Sequence, residues 1–186
     1  MSNAQFSLRA GNSALLVVDI QEAFRKAIPD FSLTVANAAI AVRGCEALGV
    51  PVLVTEQYPA GLGRTAEELL LSFSSEPSVF EKTAFSAYRA EGLNTELARL
   101  AVGQIILCGF ETHVCVNQTA HDLLAAGFAV HLLSDAVASR FEHDRNAGIA
   151  KMYQNGVVPS SVEMALFELM NDAKHPKFKD IQALIK

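Results

Sequence analysis

The sequence contains no tryptophan and only three cysteines, at positions 45, 108 and 115. An odd set of thiols without framework spacing excludes a disulfide scaffold and points to a reducing compartment, expected to be the cytoplasm. No apolar run approaches the roughly 18 residues of a membrane-spanning helix. The first eight residues lack the basic-then-apolar order of a secretory signal, so none is expected. The 15 lysines and arginines form no stripe and the net charge is −5, which removes the electrostatic footprint of a nucleic-acid binder. The five histidines are scattered without ligand spacing, so neither a metal nor another cofactor is expected. Linkers, repeats and low-complexity segments are also missing.

What is present describes a packed enzyme-sized unit. With 51% hydrophobic and 19% charged residues, the 186-residue chain can bury a sizeable core as one domain. Residues 1–12 read as an N-terminal segment, with Ser2-Asn3-Ala4 as a tag remnant, and residues 13–186 as the domain. Short β-branched runs alternate with helical patterns. Strands are expected at 14–18, 51–55, 78–82, 104–108, 129–133 and 157–158. Helices are expected at 33–48, 65–73, 93–100, from the 109–114 turn to 126, at 142–154, from Ser160 or Ser161, and in the tail 176–186. Residues 58–63, rich in proline and glycine, read as a loop.

Such alternation implies right-handed βαβ units: an α/β three-layer sandwich with a six-stranded parallel sheet and helices on both faces. Ligands of such sheets bind outside the carboxyl ends of the strands. The residues there are Asp19, Glu56-Gln57, Lys82, the segment 109–115 and Asp135. Thr112 as a helix N-cap would set Cys115 in the first turn, where the helix dipole favours a thiolate. A buried inert cysteine is the other reading of Cys115. Asp19 is either costly at a strand end without a task or a cap for residues 21–24. Lys82 alone reads as a solvated edge residue. An acid, a cation and a thiol at three strand tips are more specific together than singly.

Three segments carry a resemblance: Val17-Val18-Asp19-Ile20-Gln21, Lys82-Thr83-Ala84-Phe85-Ser86-Ala87-Tyr88, and Gly109-Phe110-Glu111-Thr112-His113-Val114-Cys115-Val116. The chain resembles the isochorismatase-like cysteine hydrolases from about residue 13 to its end. Residues 55–63 and 175–186 are similar to the isochorismatase domain-containing subgroup. The resemblance implies a Rossmann-like sheet and a catalytic triad of Asp19, Lys82 and Cys115. It also implies a cis Phe110–Glu111 peptide and an oxyanion hole from the backbone N–H groups of Glu111 and Cys115. Gln57 sits where relatives place a substrate-contacting glutamine. Phe24, Tyr58, Phe85, Phe110 and His113 are further candidates for lining the pocket, though each aromatic is also a core candidate.

Metal-binding relatives carry an Asp-x-His pair after the second strand. Here that stretch reads Glu56-Gln57-Tyr58-Pro59, which argues against zinc, iron and a nicotinamide substrate. The thiol tilts the expectation toward C–N hydrolysis of a small amide-like molecule by a symmetric homo-oligomer, a dimer or tetramer. An isochorismate-type ether hydrolase, a ligand-binding or regulatory protein on the same fold, and a redox-sensing thiol remain open alternatives.

Overall fold

The computed structural model describes residues 6–186, so the tag remnant read at residues 2–4 lies outside them. The first apolar run becomes β1 (Ser13–Val18), buried at every position. There follow α1 (Phe31–Ala47), β2 (Val52–Gln57), the single turns α2 (Pro59–Leu62) and α3 (Glu67–Leu70), and β3 (Ser78–Lys82). The second half holds α4 (Leu93–Leu100), β4 (Gln104–Phe110), α5 (Asn117–Ala125), β5 (Ala129–Ala138), α6 (Glu142–Gln154), β6 (Val158–Ser160), α7 (Val162–Met170) and α8 (Phe178–Leu184).

The strands form one parallel sheet in the order β3-β2-β1-β4-β5-β6. β1 shows no polar alternation because both its faces are covered. Leu15 and Val17 join a core with Phe31 and Val35 of α1, Leu166 of α7 and Ile181 of α8. Ala14, Leu16 and Val18 point the other way, onto Leu93 and Leu97 of α4, Leu123 of α5 and Met152 of α6. Each fully buried leucine or valine there contributes about 1.5–3 kcal/mol relative to exposure. The N-terminal segment is not detached from this domain: Leu8 is buried and its N–H donates to Glu168 Oε2 at 3.1 Å.

Chain winding sets the site. From β1 the chain moves outward through β2 to β3, then returns to lay β4 on the other side of β1 and moves outward again. The β1/β4 boundary is therefore the topological switch point, where the connections diverge and leave a crevice at the carboxyl ends. β4 and β5 are longer than their apolar runs because they pair with each other as far as Phe110 and Ala138. β5 continues to Ala138, so Asp135 lies within it, and its carboxylate accepts the Val162 N–H that opens α7. Asp135 caps a helix and is not a strand-tip group. Among the described residues no helix is long and apolar enough to cross a membrane.

Candidate active site

β1 ends on a residue whose backbone leaves the sheet. Asp19 has φ 53°, in the left-handed region that a non-glycine residue adopts at a cost of about 1–3 kcal/mol. Its N–H still reaches Thr55 O at 3.1 Å, which turns the carboxylate across the end of β2. Oδ1 accepts the Thr55 hydroxyl at 2.7 Å, and Oδ2 accepts Lys82 Nζ at 2.6 Å. The side chains of the pair are 0% and 1% exposed. Lys82 comes from the tip of β3, two strands away, and its ammonium also donates to Gln57 Oε1 at 2.7 Å, Phe85 O at 3.0 Å and Ala84 O at 3.3 Å. Four acceptors thus surround three N–H bonds. Burial raises the Asp19 carboxyl above its ordinary range, outweighing the neighbouring ammonium. The alternative reading of Asp19 as a helix cap does not hold: the 3₁₀ turn at Glu22–Phe24 follows Gln21 without a side-chain cap.

Gln21, fully buried, holds this corner together. Its Oε1 accepts the Gln57 N–H at 2.8 Å, while Nε2 donates to Gln57 O at 3.0 Å and Gly63 O at 2.7 Å. The side-chain amide stands in for the peptide unit that β1 would have offered β2 had its backbone not turned away at Asp19. Gln57 in turn fixes Lys82 through Oε1 and donates from Nε2 to Thr83 O at 2.7 Å.

Across the switch point, β4 and β5 shift register between Leu107 and Gly109, where β5 carries the extra residues. Gly109 has φ 123°, and a Cβ there would stand 2.0 Å from Val18 O, so only glycine lets β4 press this closely on β1. The chain then forms a π-helical turn at Thr112–Val116 before α5 begins. Such turns concentrate at functional sites because they aim a side chain that a regular helix would not. Gly148 of α6 packs on this turn, where a Cβ would meet His113 Cα at 2.9 Å. The turn sets Cys115, 7% exposed, where the charges of Asp19 and Lys82 both act on its thiol. Burial and the Asp19 charge push the thiol up to about 12 against the opposing pull of Lys82. Cys115 therefore lies in the π turn ahead of α5, not in the first turn of a regular helix, and its burial and the Asp19 charge work against the expected thiolate.

The comparisons with known proteins fit this arrangement. A family model described as the isochorismatase domain matches residues 13–164. The chain belongs to the isochorismatase family. Isochorismatase domain-containing protein 2 of Danio rerio is 41% identical over 179 residues, covering 96% of this chain and 89% of that protein. Isochorismatase domain-containing protein 1 of Salmo salar is 43% identical over 169 residues, covering 90% of this chain, which spans only 59% of the salmon protein. A solved structure titled MAR1 ribonuclease from Caenorhabditis elegans superposes with TM-score 0.91 at 38% identity, covering 96% of this chain and 92% of that one.

As an isochorismatase-family site, the constellation brings some of the expected residues together and leaves others aside. The Phe110–Glu111 peptide is trans, as is every peptide bond among the described residues, so the cis expectation is corrected. The extended Glu111 backbone (φ −82°, ψ 144°) leads into the π turn, with Gly109 absorbing the bend. The Glu111 side chain is occupied by Arg140, whose N–H and Nε donate to Oε1 at 3.1 and 3.0 Å. Phe110 is fully buried between Phe24 (5.9 Å) and Phe31 (5.4 Å), so it is core and not a pocket wall. Phe24 is half-buried against it, whereas Phe85 and Tyr58 are more than half exposed. Tyr58 has φ 38° and its ring lies over Gly61, so the expected 58–63 loop contains one tight helical turn. His113 Nδ1 pairs with Ser139 Oγ at 3.0 Å and is half-buried. Gln57 spends both ends of its amide on Lys82 and Thr83 O, which makes it a support for the lysine.

Two open clefts lie at the carboxyl ends of the strands, and of Asp19, Lys82 and Cys115 only Lys82 lines one of them. One of about 490 Å³ is lined by Tyr58, Pro59, Lys82 and Thr83. The other, of about 440 Å³, is lined by Leu33, Ser139 and Arg140. Cys115 lines neither. Thr55 and Gln21 were missed as supports by sequence reasoning. Gln21 carried a signal, a buried-type polar position two residues past the strand-end aspartate, but Thr55 is indistinguishable from an ordinary β-branched strand residue. Among the described residues, no group of three or more histidine, cysteine or acidic side chains is placed to hold a metal ion.

Proposed function

We propose that this isochorismatase-family protein is a cysteine hydrolase that cleaves a C–N bond in a small amide-like substrate. The observation that carries the reading is the meeting of Cys115, Asp19 and Lys82 from three different strand ends in one buried cluster. A thiol pushed up to about 12 is a poor nucleophile until a base takes its proton. Asp19, raised above the ordinary carboxylate range, is a stronger base than a free carboxylate and acts electrostatically on that thiol.

In the proposed cycle Asp19 takes the Cys115 proton as sulfur attacks the substrate carbonyl. The backbone N–H of Cys115 holds the resulting oxyanion, worth on the order of 3 kcal/mol of barrier. Asp19 returns the proton to the departing nitrogen as the C–N bond breaks, leaving a thioester. Water then gives its proton to Asp19, attacks the thioester and expels the sulfur, which regains the proton. Lys82 stays charged throughout and stabilises the carboxylate. The cleft of about 490 Å³ that Lys82 lines suits a small molecule. Ribonuclease chemistry, as in the name of the C. elegans neighbour, would call for a cation facing the phosphate, whereas the Lys82 ammonium is turned toward Asp19, Gln57 and two carbonyls.

The test is a panel of small amides, carbamoyl compounds, esters and a vinyl ether, read by intact-mass trapping of an acyl adduct. Turnover of an amide with an adduct on Cys115, and loss of both in a folded Cys115→Ala variant, is expected. Turnover of only the vinyl ether, or full activity in Cys115→Ala, would overturn the reading.

A further inference from the structure

Resting on that reading of Cys115, we infer that Ser139 and Arg140, the two residues that follow β5, are positioning residues: they hold the π turn and through it aim the Cys115 sulfur at Asp19. β4 and β5 stay paired as far as Phe110 and Ala138, where their ladder ends. Beyond it the backbones part. Glu111 runs extended into the π turn, and residues 139–141 lead into α6. Side chains take over where the ladder stops. The Arg140 N–H donates to Glu111 Oε1 at 3.1 Å, and Arg140 Nε donates to the same oxygen at 3.0 Å. Next to it, Ser139 Oγ pairs with His113 Nδ1 at 3.0 Å. Two adjacent residues past one strand thereby grip residues 111 and 113 past the other.

A π turn needs such a grip, because regular α-helical bonding competes with it and wins in nearly all helices. Here the turn hangs from one carbonyl: Glu111 O accepts the Val114 N–H at 3.0 Å and the Val116 N–H at 3.2 Å. With its side chain tied to Arg140, Glu111 cannot follow a slide of the turn into α-helical register. α6 blocks the other way out, since it lies so close that a Cβ on Gly148 would meet His113 Cα at 2.9 Å. Ser139 and the Glu111 carboxylate are both buried, so the grip is made inside the protein, although the Arg140 side chain is half exposed. The remaining charged neighbours stand on α6: Asp144 is 3.9 Å from His113 Nε2 and 3.3 Å from His143 Nε2. Ser139 and Arg140 act on the sulfur through the backbone of residues 111–115. Proton transfer from that sulfur to Asp19 requires hydrogen-bond reach, and a displacement of about 1 Å costs up to about 100-fold in rate.

The experiment reads iodoacetamide labelling of Cys115 at pH 7 and pH 10 by peptide mass spectrometry. Iodide leaves as the S–C bond forms, and the thiol proton goes to Asp19. In the natural protein the two rates are expected to be nearly equal, because Asp19 serves as base at both pH values. With Ser139→Ala and Arg140→Ala combined, the sulfur loses that base, and the pH 7 rate is expected to fall about 10- to 100-fold below the pH 10 rate. Arg140→Lys, which keeps a cation for Glu111, is expected to keep the natural ratio. Ile181→Val loosens the core under α8, far from the turn, and is expected to lower Tm with the ratio unchanged. A double variant that loses Tm but keeps the ratio overturns the inference, since its residues are then merely structural. So does an Ile181→Val protein whose ratio shifts as far as the double variant's. If the double variant does not fold, the same ratio in Ser139→Ala and in Arg140→Ala decides. A natural-protein rate that itself climbs tenfold per pH unit overturns the reading of Cys115 and this inference together, and so is told apart from a natural plateau that the variants retain.

Discussion

Replacing Lys82 by methionine isolates what the buried ion pair does. Methionine keeps most of the side-chain volume but removes the charge, leaving Asp19 at 0% exposure with Thr55 as its remaining close donor apart from the thiol. Removing one partner of a buried pair costs about 3–5 kcal/mol, because the other charge is left uncompensated. For a chain of this size that corresponds to a fall in Tm of about 6–20 °C. The pH dependence identifies the cause. Asp19 is already raised above the ordinary carboxylate range, and without the lysine's opposing pull it rises further. The folded variant therefore binds a proton at a higher pH than the unfolded chain does. Its stability is lowest above the folded value and recovers as pH falls toward the unfolded value near 4, by at most about 1.4 kcal/mol per pH unit. Urea denaturation of both proteins from pH 8 to pH 5 reads this directly. A penalty below 1 kcal/mol at pH 8, or one that does not shrink on acidification, would refute the argument.

Other expectations follow from single contacts. Gly109→Ala places a methyl 2.0 Å from Val18 O at φ 123° and is expected to cost more than 3 kcal/mol or abolish soluble folding, seen in expression and thermal melts. Thr55→Val removes the donor to Asp19 Oδ1 and is expected to raise the acid limb of Cys115 alkylation by about 1–2 pH units, with Thr55→Ser restoring it. Gln21→Met leaves the Gln57 N–H and two carbonyls without their partner and is expected to cost about 2–4 kcal/mol in urea denaturation, while Gln21→Glu recovers only the bond from Gln57 N–H.

The sheet and its order of elements were legible because each strand announces itself by a short β-branched run. The 78–82, 93–100 and 142–154 elements fall where periodicity places them. β4 and β5 were read short because Gly109-Phe110 and Ser134-Asp135 look like strand exits. Pairing across the sheet, which sequence does not display, carries them on to Phe110 and Ala138. The meeting of Asp19, Lys82 and Cys115 was legible only as three strand tips. Its chemistry was not, because the ionisation of Cys115 depends on desolvation and on a carboxylate 96 positions earlier in the chain. Phe110 shows the same limit: at the end of a strand beside the nucleophile it reads as a pocket wall, yet the α1 packing of Phe31 encloses it.

The account turns on a proton passing from sulfur to carboxylate inside the protein, and the pH dependence of site-resolved alkylation by iodoacetamide measures that. If Asp19 takes the Cys115 proton, the population of attacking sulfur stays fixed by the pair between the two titrations. The Cys115 rate should then be flat from about pH 7 to 10 and faster than at Cys45 or Cys108, which are buried without such a base. Asp19→Asn should abolish the plateau and make the rate climb tenfold per pH unit up to the thiol's own titration. A natural-protein rate that climbs tenfold per unit across that interval, or faster labelling at Cys45 or Cys108, would contradict the account.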